Sequence, residues 1–131
     1  MAIRVVYKSI RQNNSTNWYN RDGNSWRDHS AFNAISKRVN SSNPSTFLER
    51  THPDDLTIIT SVSWPDLSTY NAAVGDYDAS SNSAWKTYAD ARGTYDEANN
   101  ITTIRYIYDA SNNLTSTQRR VRKVYWEDYS E

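Results

Sequence analysis

A chain of 131 residues with 37% hydrophobic and 23% charged side chains is sized for one domain, 1–131, that removes roughly two thirds of its unfolded surface from water. Fifteen basic residues balance fifteen acidic ones, so no whole-chain field draws it to nucleic acid or anionic lipid. With no cysteine, disulfide scaffolds, thiolate metal sites and cysteine nucleophiles are excluded, and no apolar run approaches the roughly 18 residues of a membrane span.

Ser, Thr and Asn supply about a third of the chain, a composition that favours disorder where large apolar groups are scarce. Five Trp and ten Tyr oppose that tendency, because each ring combines a large buriable area with a polar handle. A folded domain is expected, with aromatic and β-branched side chains inside a Ser/Thr/Asn-rich surface. Met1-Ala2-Ile3-Arg4 runs into strand-like residues rather than an apolar leader, so the expected location is cytoplasmic, or virion-associated if the chain is phage-encoded.

In chain order, residues 3–10 are β-branched and partly alternating, a strand with Ile3, Val5 and Tyr7 on one face. After a polar stretch, Ser25 with Asp28 three residues on reads as a helix start, and Ala31, Phe32, Ile35 and Val39 follow at helical spacing. Pro44 closes that helix; a short strand over 46–50 and a turn over 52–55 come next. Residues 56–64 form the clearest strand, with Leu56, Ile58, Val62 and Trp64 on one face and Thr60 filling the gap. Pro65 fits the first turn of a new helix, Leu67, Tyr70 and Val74 continue it, and Gly75 stops it.

A second helical run over 82–98 aligns Trp85, Tyr88, Ala89, Arg92 and Tyr95, although Gly93 within it costs about 1 kcal/mol relative to Ala. Residues 101–108 read as a strand with Ile104, Tyr106 and Tyr108 on one face, 109–113 as a turn, and 118–126 as a returning hairpin strand. The order is βαββαβ, an α+β class with a ferredoxin-like antiparallel sheet and helices on one side. Val62, Trp64, Tyr106 and Tyr108 then give a strand face rich in large rings. Burying it calls for a second sheet, which predicts a homodimer or higher assembly, or another protein partner.

The stretch from Leu56 through Trp64-Pro65-Asp66-Leu67-Ser68-Thr69-Tyr70-Asn71-Ala72, followed by the longer helix around Trp85 to Tyr95, resembles the central strand and helix of dimeric α+β barrel proteins. That group includes the antibiotic-biosynthesis monooxygenases and NIPSNAP-like proteins, and the resemblance covers about half the chain. It implies the ferredoxin-like fold and the dimer. Its members range from cofactor-free oxygenases and haem-degrading enzymes to stress proteins, so it implies no particular chemistry.

No nucleophile elbow, P-loop or dinucleotide fingerprint occurs, and three glycines could scarcely build one. The two histidines, His29 and His52, lie on different expected elements, so neither a metal nor another cofactor is expected. His29, one turn after Trp26, and Arg92 are the candidates for catalysis; His52 in its polar turn reads as structural. Tyr7, Trp26, Trp64, Trp85, Tyr88 and Tyr106 could line a pocket for a flat ligand, with Arg92 fixing a polar group, although a small sandwich also needs such rings as core and interface. Arg119, Arg120, Arg122 and Lys123, beside Tyr125 and Trp126, are the candidate nucleic-acid contacts, weighed against a solvated edge strand that ends in Glu127 and Asp128.

The leading expectation is a small non-catalytic module that self-associates through its sheet, in the style of a phage accessory or virion-associated protein. A cofactor-free monooxygenase-like enzyme acting on a small aromatic molecule is the rival. Nucleic-acid binding through the basic segment stands third.

Overall fold

The computed structural model describes residues 2–13 and 44–131. The helix expected from Ser25 to Val39, with Trp26 and His29 on it, lies outside the described residues. What is described is a mixed α+β arrangement, an open six-stranded sheet with two helices, whose neighbouring strands are all antiparallel. The strands are β1 (Ile3–Ile10), β2 (Thr46–Asp54), β3 (Thr57–Trp64), β4 (Thr102–Tyr108), β5 (Leu114–Arg122) and β6 (Tyr125–Asp128), in the spatial order β2-β3-β1-β4-β5-β6. Such a sheet is loosely compatible with a ferredoxin-like fold. No described helix is long and apolar enough to cross a membrane.

β1 runs through the middle, and its register fixes which side chains share a face. Val5 lies between Val62 and Ile107, Tyr7 between Thr60 and Arg105, and Ser9 between Ile58 and Thr103. These residues form the inner face, because cross-strand partners point the same way. Val5, Trp64, Tyr70 and Ile107 build the main core with Ile3, Tyr7, Val62, Ala73 and Val74 against it, and Trp64 meets the Tyr70 ring edge-on at 5.4 Å.

Two helical segments cover that face. Asp66 caps α1 (Leu67–Tyr70) by accepting the Thr69 N–H at 2.7 Å, and a π-helical turn continues it from Asn71 to Gly75. Gly75 ends the turn as expected. Asn82 caps α2 (Ser83–Ala98) by accepting the Trp85 N–H at 3.0 Å. Gly93, which weakens α2 on propensity alone, sits where a Cβ would overlap the carbonyl oxygen of Lys123. The helix can therefore lie directly on the β5–β6 turn, where Lys123 takes a φ of 59°.

Three expectations are corrected. The turn expected at 52–55 begins later: β2 continues through His52, Pro53 and Asp54, a placement open to proline because β2 is an edge strand among the described residues. The single returning strand over 118–126 is two strands, β5 and β6, folded about Lys123 and Val124. The ring-rich face also divides. Val62 and Trp64 point inward, Trp64 only 4% exposed, while Tyr106 and Tyr108 sit opposite Val6 and Arg4 on the outer face. There Arg4 covers the Tyr108 ring at 4.2 Å and Lys8 lies 5.6 Å from the Tyr106 ring. Val6, Ser61 and Ile104 of that outer face are themselves buried within one chain. The premise that four rings wait on one half-covered face therefore does not describe this sheet.

Candidate functional site

Between α2 and the inner face of the sheet lies a cavity of about 270 Å³. Helical spacing turns Trp85, Tyr88, Ala89 and Arg92 toward it, one side chain or more per turn. Strand alternation supplies the facing wall from Tyr7, Ile58, Val62, Trp64 and Trp126. Aromatic rings thus stand on both sides of the space.

One end of the cavity is polar, and a carboxylate organises it. Asp96, 1% exposed, lies one helical turn beyond Arg92, and one of its oxygens receives both Arg120 of β5 and, at 3.7 Å, the Nε of Arg92. Burial pushes the Asp96 carboxyl above its usual range, against the opposite pull of the two guanidinium groups. Its other oxygen is buried without a hydrogen-bond partner among the described residues. Arg92 also donates to Tyr88 Oη at 3.1 Å and Ser9 Oγ at 3.3 Å, and Arg120 donates to Thr103 Oγ1 at 3.1 Å. The Ser9 and Thr103 hydroxyls meet at 3.0 Å.

A second cluster lies beneath the cavity wall. Arg105, 6% exposed, donates to Gln118 Oε1 at 2.7 Å, to the Gly75 carbonyl at 2.8 Å and to Tyr70 Oη at 3.1 Å. The Tyr70 hydroxyl in turn meets Tyr7 Oη at 2.5 Å. Burial, joined by the neighbouring Tyr70, raises the Tyr7 phenol well above its ordinary 10.0. The Trp126 ring, which lines the cavity, lies 4.3 Å from the Arg105 guanidinium, and Tyr7 belongs both to this cluster and to the cavity wall.

Of the residues expected to hold a ligand, Tyr7, Trp64, Trp85, Tyr88 and Arg92 line this one cavity, while Tyr106 faces the other side of the sheet. Trp26 and His29 lie outside the described residues. The basic segment does not form one surface. Arg120 and Lys123 reach the cavity, Arg119 points to the outer face and pairs with Glu127 at 3.1 Å, and Arg122 is exposed with its guanidinium 5.5 Å from the Tyr125 ring. Among the described residues no cluster of three or more potential metal ligands occurs.

Four participants were not singled out in the sequence as parts of a ligand site. Trp126 and Arg120 enter it by the β5–β6 pairing, and Asp96 by its i,i+4 relation to Arg92, a spacing visible in the chain. Arg50 enters through a β-bulge. Counted by simple alternation from the inward Phe47, Arg50 would point outward, but the register shift between Phe47 and Glu49 inserts one residue and returns Arg50 to the cavity side opposite Thr60. No protein-family model, curated protein or solved structure matches this chain.

Proposed function

We propose that this chain is a binding protein for a small planar aromatic molecule held between α2 and the sheet. The observation that carries the reading is a cavity of about 270 Å³ with Tyr7, Trp64 and Trp126 on one wall and Trp85 and Tyr88 on the other. Convergent rings with a few fixed polar groups are the usual make-up of a small-ligand pocket, and this volume suits one or two fused rings. We read the run β2-β3-β1-β4 as a ferredoxin-like unit that β5 and β6 extend, and the extension matters because it supplies Trp126 and Arg120. Binding without catalysis is the reading; its oxygenase-like alternative requires oxygen uptake with an aromatic substrate that Arg92→Ala removes.

Titration calorimetry and tryptophan fluorescence with 2-naphthol test the reading. Saturable binding is expected, and Ala89→Trp, which fills the space from the helix side, should abolish it while the circular dichroism stays unchanged. Binding that survives Ala89→Trp places the ligand elsewhere.

A second reading, self-association, has its own support. Phe47 and Leu48 on the edge strand β2 are 60% and 47% exposed, an apolar pair on the side of the sheet where pairing ends among the described residues. Light scattering after size exclusion should then show a dimer or larger species that Phe47→Ser returns to monomer. A monomer at high concentration removes this reading.

A further inference from the structure

We propose that the ligand is an aromatic acid whose single anionic group docks at the Arg92, Arg120 and Lys123 end of the cavity. The inference rests on the ligand-binding reading above and names the chemical class that fits it.

Charge is the first argument. Arg50, Arg92, Arg120 and Lys123 all line the cavity, and among the described residues no Asp or Glu does. Three of these cations gather at one end, where Asp96 serves both Arg92 and Arg120 and Asp90 meets Lys123 at 3.7 Å. Among the described residues three positive groups meet two carboxylates at this end, and neither carboxylate is part of the cavity lining. Arg50 is four strand spacings away, about 19 Å, so it is not part of the same cluster.

Hydrogen-bond capacity is the second argument. A guanidinium offers five N–H groups and accepts none. Among the described residues both side-chain hydrogen bonds of Arg120 leave from Nη2, one to Asp96 and one to Thr103. Its remaining N–H groups are therefore available to a ligand, and the Asp96 contact holds the fork in place before a ligand arrives. Trp126 lies 5.9 Å from the same guanidinium and lines the cavity, so a ring carrying the anion has an aromatic wall beside the docking point.

Calorimetry with 2-naphthoate and 2-naphthamide at low salt separates the two layers of the argument, because the pair shares a ring system and differs in charge. Naphthoate should bind about tenfold more tightly, and Arg120→Gln should remove that preference. Equal affinities overturn the aromatic-acid inference and leave the ligand-binding reading standing. Binding of neither overturns that reading and this inference with it. Should Arg120→Gln fail to fold, Lys123→Gln at the exposed turn takes its place. It should cut the preference about threefold, and an unchanged preference in that variant overturns the inference.

Discussion

Arg105 and Arg120 stand on neighbouring strands and the same face of the sheet, and both have the Trp126 ring within reach. Their partners differ in kind. Among the described residues the hydrogen-bond partners of Arg105 are neutral, the Gln118 amide, the Gly75 carbonyl and the Tyr70 hydroxyl, and these tie β4 to β5 and to the π-helical turn. Arg120 shares a buried carboxylate with Arg92 across the gap between strand and helix. A cation held by backbone, amide and hydroxyl acceptors fixes the scaffold. One held by a carboxylate from behind keeps donors for the space in front of it.

The strongest way to break this contrast is Arg105→Met. It deprives the Gly75 carbonyl and Gln118 of their donor inside the fold, so urea unfolding should show a loss of about 3 kcal/mol. A loss no larger than that of a surface substitution would show that Arg105 is not the scaffold cation.

Asp96→Asn acts on the other member. An amide oxygen still accepts from one arginine, so the expected destabilisation is smaller, about 1–2 kcal/mol, while naphthoate affinity rises several-fold because a negative charge is removed. Its pH dependence gives the sign. The folded-state pKa of Asp96 is raised above the ordinary 3.8, so its contribution is fully present below that value and is lost as pH rises through the folded value. The stability gap between wild type and Asp96→Asn should therefore be widest in acid and shrink as the pH climbs away from 3.8.

Tyr7→Phe sharpens the comparison at the border between the clusters. Losing the contact with Tyr70 Oη should cost about 1 kcal/mol at neutral pH. The raised phenol also contributes stability that is complete below 10.0 and falls away in more alkaline solution, so the variant should lose stability less steeply there. The smallest effect belongs to Arg119→Ala. Arg119 neighbours Arg120 in the chain, yet its pair with Glu127 is 43% and 52% exposed, and thermal unfolding should register a change within about 0.5 kcal/mol.

Much of the scaffold was legible because local rules sufficed. The alternation of Ile3, Val5 and Tyr7 gave β1, the 56–64 pattern gave β3, and the helical run placed α2 within a residue of its observed start. Individual strand faces were legible too, but not which faces coincide. Alternation alone groups Trp64 with Tyr106, although β1 stands between their strands and its register puts them on opposite sides. The cavity's aromatic half was mostly visible as residue types on α2 and the strands. Of its charged lining only Arg92 is visible in the helical spacing; Arg120 enters through strand pairing, and Arg50, at a distance from that cluster, through a register shift that no periodicity reports.

The irregularities of β2 bear on how the protein behaves when concentrated. Open strand margins can template cross-β growth, in which chain after chain adds main-chain bonds. Here the ladder is out of step between Phe47 and Glu49 and again between Thr51 and Asp54, and Pro53 brings no N–H. A margin so interrupted offers an incoming strand no long run of matched donors and acceptors. Phe47 and Leu48 are exposed on a margin whose main chain is poorly matched to cross-β growth.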